Sequence, residues 1–172
     1  MTWHLNQHEA TADAGTIRCE HIDIFGFESL LDWTVSVGDT ALSDNHTHGT
    51  YSMAIDPSNY TTVTSVPINW SGPLGTITFD IMLPTYQPNP WWHGDVQLIV
   101  NAPSAGLHNA YVGINLLTGL ELGTWHTVSF DVPSGIDSAL SGRDVSDFSF
   151  TIVVNVPPES DIHLLDNMTV GG

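Results

Sequence analysis

Apolar and polar residues alternate along most of this chain with a period of two, and almost nowhere with a helical period. In Thr124–Val132, His126, Val128, Phe130 and Val132 fall on one side, and Trp125, Thr127, Ser129 and Asp131 on the other. Successive side chains of a strand point to opposite faces, so this pattern predicts a strand with one buried face. Val96, Leu98 and Val100 likewise oppose Gln97, Ile99 and Asn101. In Ala110–Leu117 the expected inward set is Val112, Ile114 and Leu116, opposite Tyr111, Gly113, Asn115 and Leu117. In Phe148–Val156 five apolar side chains oppose Ser149, Thr151, Val153 and Asn155. Runs rich in Val, Ile, Thr and Phe predict further strands at Ile17–Ile22, Tyr51–Ile55, Thr61–Ile68, Gly75–Leu83 and Ile162–Val170, with another at Trp33–Val37.

Clusters of Gly, Pro, Asn, Asp and Ser separate these runs and predict turns at Asn69–Gly75, Asn101–Leu107, Gly119–Gly123, Pro133–Asp137 and Pro157–Asp161. Ile136–Leu140 is the one short stretch with helical spacing. Many short strands with turn signals between them predict an all-β domain of two antiparallel sheets packed as a sandwich. No internal repeat and no dividing linker interrupts residues 16–172, which are expected to form a single domain. Met1–Gly15 reads as a flexible N-terminal segment or linker.

Charge changes the list of partners. The 172 residues carry 19 acidic side chains, no lysine, and only Arg18 and Arg143, for a formal charge of -17. Phosphate recognition depends on Lys and Arg, so nucleic acid and anionic membrane are poor partners. No apolar run is long enough to span a bilayer, and no signal peptide is visible at the N-terminus. Neutral glycans, cations and basic surfaces remain open, and the acidity also suits a plain solubility device. Cys19 is the only cysteine, which excludes an internal disulfide and a cysteine-based zinc site. The polar strand faces change the picture further. A solvated face ordinarily carries Lys, Glu or Arg, whereas here Gln97, Asn101, Tyr111, Asn115 and Asn155 supply amides and hydroxyls suited to a polar, uncharged ligand. A chain nearly devoid of lysine also has mainly neutral polar residues to place there.

Three segments carry a resemblance. The first is GFESLLDWTVSVGDTALSDNHTHGTYSMAI, Gly26–Ile55, with Phe27-Glu28, Trp33 and Gly49-Thr50-Tyr51-Ser52. The second is Gly123-Thr124-Trp125, and the third is the closing run Ile162–Val170 with Leu165-Asp166-Asn167. In this order they resemble calcium-containing jelly-roll carbohydrate-binding modules, a galactose-binding-like β-sandwich. The resemblance implies a jelly roll whose first and last strands lie side by side, and a structural Ca²⁺ at one edge. Glu28 and Asp166 would provide carboxylates, with carbonyl oxygens from Gly26 and from the loop around Thr47 and Thr50. Calcium takes six to eight oxygen ligands of these kinds, and it would stabilise the fold by binding only the assembled site. It further implies a polysaccharide or oligosaccharide partner, and a secreted or cell-surface location. The domain is then expected to be monomeric, alone or within a larger multidomain protein.

Saccharides are held by aromatic rings on their C–H faces and by amides and carboxylates on their hydroxyls. The run Tyr86-Gln87-Pro88-Asn89-Pro90-Trp91-Trp92-His93 is the richest aromatic loop. Trp91 or Trp92 is the expected platform, with Tyr86 and Tyr111 next. One tryptophan of the pair is expected in the core, and Trp33, Trp70 and Trp125 are expected to pack there or at strand ends.

Other chemistry is less well supplied. His46-Thr47-His48 could pair two imidazoles on a metal, but nothing nearby completes the set. No Gly-x-Ser-x-Gly elbow occurs, and no pair of acids stands out for glycoside hydrolysis. The expectation is therefore a non-catalytic module that binds a neutral polysaccharide. The alternative is a structural or adhesive calcium-stabilised β-sandwich of a bacterial surface protein, without a sugar site.

Overall fold

The computed structural model describes residues 22–57 and 59–171. Twelve strands occupy most of them: β1 Ile22–Phe25, β2 Trp33–Val35, β3 Thr40–Ser43, β4 Ser52–Ile55, β5 Tyr60–Ser65, β6 Ile68–Ser71, β7 Thr76–Met82, β8 Asp95–Ala102, β9 Leu107–Leu116, β10 Trp125–Asp131, β11 Asp144–Asn155 and β12 His163–Gly171. A single helix, α1 (Ser134–Leu140), contains the expected helical turn. The expected strand Ile17–Ile22 and the segment Met1–Gly15 lie outside the described residues, except for Ile22, which opens β1.

The strands form two antiparallel sheets. The first runs β10-β7-β12-β4-β3, and β1 lies against the far half of β12. The second runs β2-β5-β11-β8-β9, with β6 against one end of β11. First and last described strands are therefore neighbours, in the register Ile22↔Val170 and Asp23↔Thr169. This is the all-β sandwich the alternation predicts.

Between the sheets lies one apolar core. Ile77, Phe79 and Ile81 of β7 and Leu165, Met168 and Val170 of β12 meet Val96, Leu98 and Val100 of β8 and Phe148, Phe150, Ile152 and Val154 of β11. Phe79 stacks on Phe130 at 5.6 Å, and Phe148 meets Phe150 edge-on at 4.8 Å. Side chains of this size each contribute about 1.5–3 kcal/mol on burial. The helix is too short to stand alone. It is fixed by burial of Ile136 and Leu140 and by Asp137, whose Oδ1 accepts the Leu74 and Gly75 amides at 2.7 and 3.3 Å.

Three expectations are corrected. The Asn69–Gly75 turn begins only after β6, which pairs Trp70 with Val145 and Ile68 with Phe148. β3 is a strand where none was expected, on the edge of the first sheet. In β9 the alternation is broken: Leu98 pairs with Gly113, but Ile99 pairs with Tyr111, so Val112 is an extra residue. A bulge of this kind shifts the facing of everything beyond it. Ile114 and Leu116, expected inside, are 49% and 66% exposed. Asn115, expected on the outer face, pairs with the core residue Val96 and points inward.

Candidate functional site

Two polar regions stand out, one on the outer face of each sheet. On the first sheet the loop between β3 and β4 folds over two carboxylates. Asp80 of β7 and Asp166 of β12 are directly opposed, on the outer face, with Asp166 wholly buried. Oδ2 of Asp166 accepts the Thr47 and His48 amides at 2.6 and 2.9 Å, and Oδ1 accepts the Asn167 amide at 2.7 Å. The Thr47 hydroxyl donates to Asp80 Oδ2 at 2.6 Å and lies 3.2 Å from Asp166 Oδ2. Asp80 also accepts from the Thr127 hydroxyl at 2.6 Å and from the Asn167 side chain at 3.1 Å. Asn167 adopts φ 49° at the bulge between Asp166 and Thr169, which leaves its side chain on the same face as Asp80.

The same loop reaches Glu28. Its Oε1 accepts the Thr50 amide at 2.8 Å and the Tyr51 amide at 3.4 Å. Gly49, at φ +70°, permits this approach, since a Cβ there would fall on the Glu28 carboxylate. Gly26 is beside it: a Cβ built on Gly26 would lie 3.4 Å from Glu28 Oε1 and 3.5 Å from His48 Nδ1. Gly26, Glu28, Thr47, Thr50 and Asp166, separated by up to 140 positions, thus converge around one loop. Its backbone N–H groups donate the hydrogen bonds to both acids. A carboxylate offers about four lone-pair sites. Oε2 of Glu28 takes no hydrogen bond among the described residues, and Oδ1 of Asp166 takes one. Carboxylate oxygens with spare capacity beside one loop are hard donors of the kind a calcium ion takes. Among the described residues no three His, Cys, Asp or Glu side chains cluster as a metal set, so carbonyls would have to make up most of any such shell.

The second region is the outer face of the other sheet, built in three rows by the register. One row is Tyr60, Asn155, Asp95 and Leu116. The next is Thr62, Val153, Gln97 and Ile114, and the third Thr64, Thr151, Ile99 and Tyr111. Each row crosses four strands, about 14 Å at the usual strand spacing. Asp95 is at the floor, 6% exposed. Gln97 Nε2 donates to its Oδ1 at 2.9 Å and Asn155 Nδ2 to its Oδ2 at 2.8 Å. Tyr60, Tyr111, Ile114 and Leu116 stand exposed around this floor. Gln97 and Tyr111 are on the face as expected from alternation. Asn115 is not; its Nδ2 reaches across the sandwich edge to the Ser129 carbonyl at 2.9 Å. Asp95 and Tyr60 were not foreseen. Asp95 opens its strand one residue before the recognisable alternation, and Tyr60 lies one residue before the expected strand Thr61–Ile68.

The aromatic loop joins β7 to β8 and leads directly into Asp95. It is anchored by the Leu117 amide on the Gly94 carbonyl and by the His93 amide on the Thr118 hydroxyl, both at 3.0 Å. Trp91 is 87% exposed and Tyr86 is also open, while Trp92 is half-buried. The Trp91 amide donates to Asn89 Oδ1 at 2.9 Å, a local turn that presents the ring outward. Trp33 is core and stacks on Phe27 at 4.7 Å. Trp70 and Trp125 are half-buried, with indole N–H groups on the Gly72 carbonyl and on Asn45. Beneath the same end, His163 is wholly buried; its Nδ1 faces the Asp161 carbonyl at 2.9 Å and its Nε2 has no partner among the described residues.

No protein-family model matches the chain, and no curated protein matches it. Solved structures do. A carbohydrate-binding module of the β-sandwich superfamily, described for promiscuous specificity, superposes with a TM-score of 0.58 at 15% identity over 85% of this chain. This chain covers only 60% of that one. A family 11 carbohydrate-binding module from Clostridium thermocellum, in complex with a β-1,3-1,4-mixed-linked tetrasaccharide, gives 0.57 at 14% identity over 91% of this chain and 98% of that. The cleaved K2 adhesin domain of Lys-gingipain gives 0.56 at 11% identity over 88% and 99%. At these identities the likeness is one of fold: this chain has the β-sandwich of carbohydrate-binding modules.

Proposed function

We propose that this domain is a non-catalytic carbohydrate-binding module that holds a neutral polysaccharide or oligosaccharide on the outer face of the second sheet. The observation that carries the reading is the carboxylate of Asp95, held by Gln97 and Asn155 between the exposed rings of Tyr60 and Tyr111. Amides and a carboxylate read sugar hydroxyls, and rings take the sugar's apolar face. Trp91 and Tyr86, and the half-buried Trp92, extend the site from the adjoining loop. Fold likeness to modules seen with bound oligosaccharides agrees with it, as does the absence of lysine from the sequence. The same reading includes a structural calcium ion held by Glu28, Asp166 and carbonyls of Gly26, Thr47 and Thr50, and a secreted or cell-surface location. The ion's part would be to pin the loop over the first sheet, away from the sugar.

Affinity electrophoresis in soluble mixed-linkage β-glucan, β-1,4-galactan, xylan and mannan tests this. At least one polymer is expected to retard the protein. Tyr111→Ala and Trp91→Ala should each weaken that retardation about tenfold, in line with loss of one stacked ring at the centre of a small site. Retardation by none of them, or by one that both variants leave unchanged, would overturn the reading. Calcium at millimolar concentration is expected to raise the melting temperature by several degrees over chelator; no shift removes the metal from the proposal. A second reading, an adhesive sandwich without a sugar site, is favoured by the likeness to the K2 adhesin domain. It predicts the calcium response and no glycan response.

A further inference from the structure

We propose that Asp95 fixes which glycans the face accepts, by turning two amides so that their oxygens meet the ligand. The face then takes hydrogen-bond donors, from neutral or amino-bearing sugars, and rejects sugars carrying carboxylate or sulfate. This rests on the carbohydrate-binding reading above and adds a residue and a selectivity to it.

The argument begins with the chemistry of an amide. Gln and Asn side chains have a nearly symmetric shape, and only their neighbours decide which end is oxygen. An ionised carboxylate can only accept. Asp95 is at the floor of the face, and each of its oxygens takes one amide, from Gln97 at 2.9 Å and from Asn155 at 2.8 Å. One N–H of each NH₂ group is thereby committed to Asp95, which fixes the orientation of both amides. Oε1 of Gln97 and Oδ1 of Asn155 lie on the other branch of each amide, and neither accepts a hydrogen bond from another described residue. Both side chains are partly buried. The polar centre of the face therefore presents two amide oxygens in fixed positions over a buried carboxylate, with one further N–H on each amide. Beside it the Thr64 and Thr151 hydroxyls are paired with each other at 3.1 Å.

Among the described residues, no Lys or Arg lies on the face to offset a ligand anion. The chain has two cationic side chains besides histidine, Arg18 and Arg143, and Arg143 sits on the turn after α1, outside the three rows. A ligand carboxylate above Asp95 meets one negative charge and two carbonyl dipoles at close range, which weakens binding by an order of magnitude or more at the dielectric of a protein surface. The overall charge of -17 repels anions too, but that part is long-range and is removed where the screening length falls to about 3 Å, in 1 M salt. Asp95 is a positioning residue here: it acts through Gln97 and Asn155.

The test uses the full chain in 1 M NaCl. Mixed-linkage β-glucan, β-1,4-galactan and mannan are each compared with the same polymer after oxidation of part of its C6 hydroxyls to carboxylate, and after methyl esterification of the oxidised form. Whichever neutral polymer binds, its oxidised form is expected to bind at least tenfold more weakly, and the ester to recover most of the loss. Asp95→Asn lets both amides turn, so the ratio of native to oxidised should fall to about threefold or less. Gln97→Met, which keeps Asp95, should weaken native polymer at least threefold and preserve the discrimination. Equal binding of native and oxidised polymer by the wild type overturns the proposal. So does an ester rejected as strongly as the acid, or an Asp95→Asn protein that still binds with its ratio unchanged. Should Asp95→Asn fail to fold, an unchanged native affinity in Gln97→Met overturns it. Binding to no polymer at all removes the carbohydrate reading itself, and is distinct from each of these results.

Discussion

Lowering the pH from 7 to 4 is expected to remove roughly 3 kcal/mol of stability through one side chain, His163. Its ring is wholly buried at the end of β12. Burial is the main cause that pushes its pKa down to about 4 from 6.5; the Asp161 carbonyl and carboxylate oppose the shift and do not cancel it. The neutral ring can donate from Nδ1 to the Asp161 carbonyl and leave Nε2 as a bare lone pair. Protonation would put an N–H cation there with no acceptor, which is far more costly than an unused lone pair. The unfolded chain binds a proton on this histidine below about 6.5 and the folded protein only below about 4. Stability is therefore fully present above pH 6.5 and declines as pH falls toward 4. Urea unfolding of the wild type and of His163→Leu at pH 7.5 and 4.5 measures this. Carboxylates titrate in both proteins alike, so the difference isolates His163. A variant as sensitive as the wild type would refute the assignment.

The second large effect belongs to Asp166. Asp166→Ala strips the Thr47, His48 and Asn167 amides of their acceptor. Hydrogen bonds to a charged group are each worth about 1.5–3 kcal/mol, but two of these amides are on an exposed loop and can find water. The variant also relieves repulsion from Asp80, which is opposite on β7. Weighing these, a net loss of about 3 kcal/mol is expected, or about 6–12 °C in melting temperature for a domain of this size. The melt is run in chelator, so that any contribution of bound calcium is excluded. The loop carrying Asn45 should become susceptible to proteolysis, because Asp166 is its main anchor to the sheet. A melting change under 2 °C in chelator would mean that repulsion from Asp80 outweighs the anchoring bonds.

Much of the sandwich is written in the alternation, and the exceptions have identifiable causes. β7, β8, β10 and β11 read cleanly because large apolar side chains take every second position over the core, even where the outer face is also covered, as at Val153 of β11. β3 escapes because an edge strand of four residues, Thr40–Ser43, has no buried side chain to impose a period. β6 escapes because Asn69, Ser71 and Gly72 have turn chemistry, and pairing with β11 overrides it. The bulge at Val112 is invisible in composition, yet it inverts Ile114, Asn115 and Leu116. At the site, Gln97, Tyr111 and Trp91 were legible as polar or aromatic residues in plausible places. Asp80 and Asp95 were not. An outward carboxylate on a strand looks the same whether it faces water or is closed over by a loop, and only the register between distant strands tells the two apart.

The position of β12 also dictates when this molecule can be made. β12, His163–Gly171, is a central strand of the first sheet, hydrogen-bonded to β7 on one side and to β4 and β1 on the other. Without it β7 and β10 have no link to β3 and β4, so that sheet exists only as separate strand pairs. On a ribosome those pieces wait, apolar faces uncovered, until residue 171 clears the exit tunnel. Closure between ends so far apart in sequence is slow compared with local pairing. During synthesis the nascent domain is thus an aggregation hazard until β12 emerges.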